Sequence, residues 1–380
     1  MNDVLPGHCI KPIYLSNPRP RMDTPEGRGK SLKNIDDLEE TVRRSIPEHV
    51  LQDIYNRGKE LYMSEMMDDP HRHIYGGFKL YDCLLVYLHW LLEYPDVRYY
   101  RRAHGLPVSD FLPIIKRIIH LIEGFEQEAL EPSSVQERLS MELALPEELN
   151  EFSSCTLFGD GVEYARTRRG IDTAHEAKRW YGVKTRGPAW RCVVTCPSHF
   201  LATFPIQRAG FFGIKTDFPR TNFQHIYNRH GFLELSTSPI PAGAPRAGER
   251  EIVDDSELWS LMDRQQDKLF LDKGFFGMET RHQEYQFCLP PNKSSNTYRH
   301  AGPQGQQRLD EFDARHKRVA LGYVERWNKE LRHFKILAKN TKFRHDDALF
   351  YQIFRHCQGL RNLRHAHTLS SQALESESED

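Results

Sequence analysis

KLFLDKGFFG, residues 268–277, decides how the second half of this chain is read. Lys268-Leu269-Phe270-Leu271 is a short apolar run of strand type, and the Asp272-Lys273-Gly274 behind it is a turn signal. The same grammar stands upstream in CTLFGDG, residues 155–161, where an apolar run ends at Gly159-Asp160-Gly161. Both segments read as strands that end at an aspartate beside glycine. Glycine at such a place lets a ligand or another backbone approach closely. An ordinary β-turn or helix N-cap selects aspartate there as well. Each segment alone admits both readings.

Working outward, strand-like runs lie at 155–159, 189–196 (AWRCVVTC), 199–206 (HFLATFPI), 268–272 and 285–289 (YQFCL). TNFQHIYNRHG predicts a helix over 221–231. The Pro- and Gly-rich stretch 236–257 predicts an exposed loop insert, and 290–307 a second, polar loop. A long helix is expected from 308 to 338. Its apolar residues Ala320, Val324, Trp327, Leu331 and Phe334 repeat at i, i+4, i+7, i+11 and i+14, a core-facing stripe. A last helix covers 346–361 within a C-terminal segment 346–366. Strands in hairpins and strands flanked by helices together predict an α/β fold, a mixed sheet covered by helices, over 150–345.

The N-terminal part has another character. Residues 1–35, rich in Pro, Gly, Arg and Lys, are expected to form a disordered arm. Residues 36–130 carry helical periodicity throughout, with a strongly apolar helix in FKLYDCLLVYLHWLLEY that stops at Pro95. DVRYYRRAHGLPVSDFLPIIKRIIHLIEGF then predicts a helix over 96–104, a turn at Gly105-Leu106-Pro107, and a second helix capped by Ser109 with Pro113 near its first turn. Two short helices joined by a Gly-containing turn form a helix-turn-helix. Arg98, Arg101, Arg102, Lys116 and Arg117 would meet phosphates if that unit binds DNA; an ordinary helical hairpin packed on its neighbours reads the same. The last residues, 367–380, are low in complexity and acidic, and are expected to be disordered.

Bulk properties narrow the classes. No run of about 20 apolar residues exists, so a membrane span is not expected, and MNDVLPGHCIKPIYLSNPRPRMD has no apolar core of a secretory signal. The formal net charge is −1, but basic residues gather at 164–191, 308–344 and 355–364, so a phosphate-binding face is compatible with a neutral total. Seven scattered cysteines suit reduced, intracellular thiols rather than a disulfide framework. Cys192 and Cys196 share one face of an expected strand, but a zinc site needs two further ligands and no matching pair follows. His175, His199, His225 and His230 are scattered. Asp254, Asp255 and Glu257 form an acidic run of solvated type, and Glu163 stands near enough to Asp160 to be an alternative ligand.

The third acidic residue of interest is Glu325 in GYVERWNKELRHFK. It lies beside the core stripe, and Asn328, Lys329 and Arg332 share its side of the helix. A carboxylate followed by basic residues along one flank suits a metal ion next to a phosphate backbone; an exposed i,i+4 pair with Lys329 is the plainer reading. Cleaving a phosphodiester requires an activated attacking oxygen and a stabilised leaving oxygen. Two Mg²⁺ ions about 4 Å apart meet both needs, and a few carboxylates with the scissile phosphate suffice as ligands.

Between about 84 and 340 the chain resembles the Harbinger-type and related insertion-sequence transposases of the DDE superfamily. Phe158-Gly159-Asp160-Gly161 resembles the first motif of that family. Leu271-Asp272-Lys273-Gly274-Phe275, followed by Phe287-Cys288-Leu289-Pro290-Pro291, resembles the second. Val324-Glu325-Arg326 through Leu331-Arg332-His333-Phe334-Lys335 resembles the third. Val162-Glu163 stands where the family has Thr or Ser, and Leu321 where it has a basic residue. The resemblance implies an RNase H-like core, catalytic and metal-binding roles for Asp160, Asp272 and Glu325, and Mg²⁺ (or Mn²⁺) as cofactor. It also implies double-stranded DNA as substrate, with water and then a DNA 3′ hydroxyl as nucleophile. A homo-oligomer that pairs transposon ends, a Myb-like accessory DNA-binding protein, and the nucleus in a eukaryote (otherwise the cytoplasm) follow as expectations. The segment 166–191, with Trp180, Tyr181, Lys184 and Trp190, mixes basic and aromatic residues as phosphate contact and base stacking require, or is a hairpin with ordinary cross-strand aromatics. Lys184, Lys273, Lys329 and Arg332 join Arg101, Arg102, Lys116 and Arg117 as expected DNA contacts. Two other functions use the same residues: a domesticated DNA-binding or scaffold protein with a silent catalytic core, and a metal-dependent phosphohydrolase acting on a small molecule.

Overall fold

The computed structural model describes residues 29–68, 77–132, 134–140, 145–165, 181–182, 187–191, 220–228, 233–236, 240–241, 249–254, 256, 258–338, 343 and 347–378. They form two compact units. A helical unit is drawn from 1–130, 331–338 and 345–380, and a sheet unit from 131–330 and 339–344.

In chain order the helices are α1 (Ile35–Ser45), α2 (Glu48–Asp68), α3 (Leu80–Glu93), α4 (Val97–His104), α5 (Val108–Leu121), α6 (Phe125–Ala129), α7 (Val135–Ser140), α8 (Glu249–Asp254), α9 (Leu258–Leu261), α10 (Met278–Arg281), α11 (Asn296–His300), α12 (Gly302–Val319), α13 (Glu325–Leu331) and α14 (Asp347–Ser378). The strands are β1 (Leu157–Ala165), β2 (Tyr181–Gly182), β3 (Gly187–Arg191), β4 (Arg220–Asn228), β5 (Leu233–Ser236), β6 (Ile240–Pro241), β7 (Lys268–Phe270) and β8 (Gln286–Cys288).

The helical unit is organised by α3, which is buried on nearly every side from Leu80 to Leu92. Its few polar groups have partners. Asp82 accepts the Leu32 backbone N–H at 2.8 Å, and His89 Nδ1 lies 2.9 Å from the Tyr100 hydroxyl. Gly105, at φ 73°, ends α4, the left-handed conformation that glycine adopts without a Cβ penalty. Pro107 then precedes α5 directly, so Val108 opens the helix and Ser109 is not the cap. The Ser109 hydroxyl instead donates to Asp110 at 2.8 Å, and Pro113 sits inside the helix. Proline fixes its own φ in a helix-compatible range, and Pro107 starts the turn earlier than the serine would.

The sheet runs β2-β3-β4-β1-β7-β8, with β5 and β6 also paired to β4. β1 is antiparallel to β4 over nine residue pairs, Leu157 to Ala165. β7 and β8 are parallel to β1 and to each other. One face carries Phe158 and Phe270, whose rings lie 5.4 Å apart. His316 of α12 stacks on Phe270 at 4.0 Å, and Trp327 of α13 meets Phe158 edge-on at 5.6 Å. The other face buries Leu157, Leu269 and Leu271 with Val253, Leu258 and Met278. Helices therefore cover both faces of the parallel strands.

Several expectations are corrected. Residues 221–231 do not form a helix: 220–228 are the strand β4. Phe223, Ile226 and Tyr227 imitate helical spacing, but Thr, Phe, Ile and Tyr also favour strands, and pairing along the whole of β1 decides. The 236–257 insert is not simply a loop, since Ile240–Pro241 joins β4 and Ile252 and Val253 of α8 are buried. The 290–307 stretch contains α11, whose Ser295 cap accepts the Tyr298 N–H, and the start of α12, where Pro303 occupies the first turn. The long helix begins at Gly302 and is not continuous to 338. A π-turn at Ala320–Val324 separates α12 from α13, and a 3₁₀ turn follows at Lys335–Leu337. Buried Val319 and Val324 are five residues apart, and the wider turn keeps both on the core side. The arm is shorter than 1–35, because Leu32 is buried and Lys30 bridges to Phe78. Residues 367–378 continue α14; with no Gly or Pro after Gly359 in that stretch, nothing local stops the helix. Strand expectations at 192–196 and 199–206, and the stretch 166–180, lie outside the described residues.

Burial pushes the His316 imidazole down to about 4, against about 6.5 for a free histidine. The unfolded chain therefore binds the extra proton between those values, and stability is lost as pH falls from about 6.5 towards 4. Asp313 and Lys317 on α12 and the Cys288 carbonyl, 3.4 Å from Nε2, are its polar surroundings. His316→Phe should keep the stack on Phe270 and flatten the fall in urea midpoint between pH 7 and 5 by an amount on the order of 2 kcal/mol. His89 and His356, pushed to about 4 and about 3, retain their share of the slope. An unaltered slope would show that His316 is already protonated or exposed in the native state.

Candidate functional site

The site is built by register. Leu157 pairs with Leu269, and Phe158 with Phe270. Two residues past the last of these pairs come Asp160, inside β1, and Asp272, just beyond the end of β7. Side chains alternate across a strand, so Asp160 shares the face of Phe158. That is the face on which Trp327 packs, and the next residue, Asn328, reaches Asp160: its Nδ2 donates to Oδ2 at 2.6 Å. Asn328 is 3% exposed, and Asp160 is half-buried.

Asp272, two residues past the end of β7, is extended, with φ −79° and ψ −179°. Its Oδ1 accepts the Gly274 N–H at 2.7 Å and caps the 3₁₀ turn Lys273–Phe275. The capping reading and the site reading are therefore compatible, because the cap bond also fixes the carboxyl plane. Phe275 is fully buried behind the turn and anchors it.

Glu325 opens α13 directly after the π-turn. It lies one helical turn before Asn328 and on the same side. Its side chain is half exposed and stands 3.9 Å from Lys329. Among the described residues, no three His, Cys, Asp or Glu side chains are gathered closely enough to hold a metal ion. The donors in place are carboxylate oxygens alone, which suits Mg²⁺ or Mn²⁺ rather than a thiolate metal. The two aspartates thus follow the paired ends of neighbouring strands, while Glu325 lies on α13 beside Lys329.

Other candidates separate clearly. Asp254 is engaged by Arg281 and by His282, whose Nε2 is 2.7 Å away; Asp255, Glu257, Cys192 and Cys196 lie outside the described residues, as does the side chain of Glu163. Cys83, Cys155, Cys288 and Cys357 are buried and form no disulfide. Lys273 and Lys329 are exposed, as a phosphate contact requires. In the helical unit Arg101, Arg102 and Lys116 are exposed. Arg117 instead pairs with Glu65, which His120 also contacts, so its first duty is to join α5 to α2. Arg332 is half-buried within the helical unit, and Lys184 lies outside the described residues. Sequence reading placed Asn328 beside Glu325 without giving it a role. It also counted His225 among scattered histidines, where the strand register sets it opposite Asp160.

No helix among the described residues is long and apolar enough to cross a membrane. No protein-family model matches this chain, and no curated protein or solved structure matches it either.

Proposed function

We propose that the sheet unit is an RNase H-like nuclease core and that the chain is a DNA transposase, or an endonuclease derived from one, acting on DNA phosphodiesters with Mg²⁺. One observation carries this reading: Asp160 and Asp272 each follow, by two residues, a register pair of the parallel strands β1 and β7, and the helix residue one turn beyond Glu325 donates to Asp160. The strand order β5-β4-β1-β7-β8, antiparallel on one side of β1 and parallel on the other, supports it. So does the π-turn before Glu325, a feature that recurs at functional sites.

In this reading Asp160 and Asp272 would hold the divalent ions, with Glu325 as a further carboxylate ligand. Bound Mg²⁺ would supply a nucleophilic oxygen and charge stabilisation at the leaving oxygen. Lys273 and Lys329 flank the carboxylates and would position the phosphate backbone.

Glu325→Gln tests the third ligand. Its exposed pair with Lys329 is worth only tenths of a kcal/mol, so the fold should be unaffected. Mg²⁺-dependent nicking of duplex DNA should fall by about a hundredfold. Undiminished nicking would remove Glu325 from the site. Duplex binding by the wild-type chain in a gel shift, with no nicking, would favour the silent-core alternative instead. Turnover of a small phosphate ester without duplex affinity would favour the phosphohydrolase.

A further inference from the structure

We infer that the helical unit grips duplex DNA by its phosphate backbone, without regard to sequence, through three arginines on the outer face of α4 and Lys33 of the segment before α1. The second helix of the hairpin, α5, is not the reader. The polymer is taken from the function proposed above; the surface lies in the helical unit and does not depend on the carboxylates of the sheet unit.

Arg98, Arg101 and Arg102 fall at i, i+3 and i+4 on α4, one face of the helix, and all three are exposed. Tyr100 and His104, on the opposite side, are buried. None of the three arginine side chains pairs with a carboxylate among the described residues. Arg44, Arg57, Arg315, Arg318, Lys317 and Lys335 each do. Helix stability does not call for Arg98, which stands in the first turn, where the dipole disfavours a cation. Arg101 and Arg102 stand in the last turn, where the dipole favours them, yet the carbonyls there already have donors. Asn34 Nδ2 donates to Ala103 at 3.2 Å, and the Lys33 backbone N–H to His104 at 3.1 Å.

Those two bonds bring Lys33 to the same corner. Its stem crosses Gly105, 3.7–3.9 Å from where a Cβ would stand, and the residue is exposed. The local carboxylates are Asp96, which caps α4 by accepting the Arg98 backbone N–H at 2.9 Å, and Asp36 and Asp37 in the first turn of α1; they temper the charge without pairing with the arginines.

The other helix is poorer in cations. Lys116 is the one exposed lysine or arginine of α5, Glu65 engages both Arg117 and His120, and Asp110 lies in the first turn. Reading bases requires several side chains of one helix presented to the major groove. Holding the backbone requires only positive donors, and a guanidinium meets phosphate with two parallel N–H bonds. α4 meets the second requirement and α5 does not meet the first. Contacts to phosphate carry no sequence information.

The test is fluorescence anisotropy of two labelled duplexes, equal in length and unrelated in sequence, titrated with the full chain in chelator over a range of salt. The double variant Arg101→Gln with Arg102→Gln should melt as the wild type does, since exposed side chains without partners carry little stability. It should bind both duplexes about tenfold or more weakly, by the same factor, and flatten the slope of log affinity against log salt by about 2. Lys116→Gln should leave affinity and slope unchanged. The inference is overturned by an unchanged slope in the double variant, by a loss confined to one sequence, or by a larger loss in Lys116→Gln than in the double variant. Tighter capture by vesicles of anionic phospholipid than by duplex would overturn it as well. The two readings fail separately: duplex binding of this kind with no nicking in Mg²⁺ would remove the nuclease reading alone, and nicking by a double variant that binds as tightly as the wild type would remove this inference alone.

Discussion

Asp272→Asn should abolish Mg²⁺-dependent cleavage of duplex DNA, by on the order of a thousandfold, and leave duplex affinity intact. The substitution is close to isosteric, and the asparagine Oδ1 can still accept the Gly274 N–H that closes the turn after β7. Phe275 remains as the buried anchor of that turn, so the fold has no reason to change. On the proposed function, what disappears is one of the negative charges that would hold the cation. Binding to DNA draws mainly on lysine and arginine contacts to phosphate, and none is removed. A nicking assay in Mg²⁺ beside a gel shift reads both quantities. If Asp272 served only as the cap of Lys273–Phe275, cleavage by the variant would equal that of the wild type.

Asp267→Ala should cost about 3–5 kcal/mol of stability in the sheet unit, the scale for breaking a buried ion pair on one side. Asp267 is fully buried, and its partner Arg138 is 2% exposed. The guanidinium donates to Asp267 through Nε at 3.1 Å and Nη2 at 2.5 Å. The same carboxylate accepts the Thr156 hydroxyl at 2.7 Å and the Asp263 backbone N–H at 2.9 Å. Removing it takes the carboxylate away from a buried cation that keeps the Leu261 carbonyl among its acceptors. Replacing Arg138 by Met in the same chain should recover most of the loss, since an uncharged pair of similar volume escapes the desolvation cost. Urea unfolding of the two variants decides the matter; a loss below about 0.5 kcal/mol for Asp267→Ala would show that the pair is hydrated in solution. The consequence reaches the site. Thr156 and Lys268 are tied by a backbone bond at 3.0 Å, at the start of the strand pair that leads to Asp160 and Asp272.

The strands that carry the two aspartates were legible because each is a short apolar run closed by turn residues, and the turn after Asp272 is a local Asx bond. The helix position of Glu325 was legible from the apolar stripe Val324, Trp327, Leu331. The break before it was not. A π-turn leaves the stripe almost unchanged, and the spacing of Val319 and Val324 acquires meaning only once both are seen to be buried. Strand β4 was misread because Phe223, Ile226 and Tyr227 satisfy a helical period, while its partner β1 is far away in sequence. Asn328 was visible as a neighbour of Glu325, yet its bond to Asp160 spans 168 positions and no local pattern encodes it. Arg117 looked like a free cation for the same reason: Glu65, its partner, is remote in the chain.

The proposed function requires Asp160 and Asp272 to bind a divalent cation jointly. Anomalous scattering from crystals grown with Mn²⁺ tests it most directly. The expected result is a peak bridging the two carboxylates at about 2.1 Å from an oxygen of each, lost in Asp160→Asn. A fully ordered site with both aspartates resolved, Mn²⁺ in the crystal and no peak between them would contradict it.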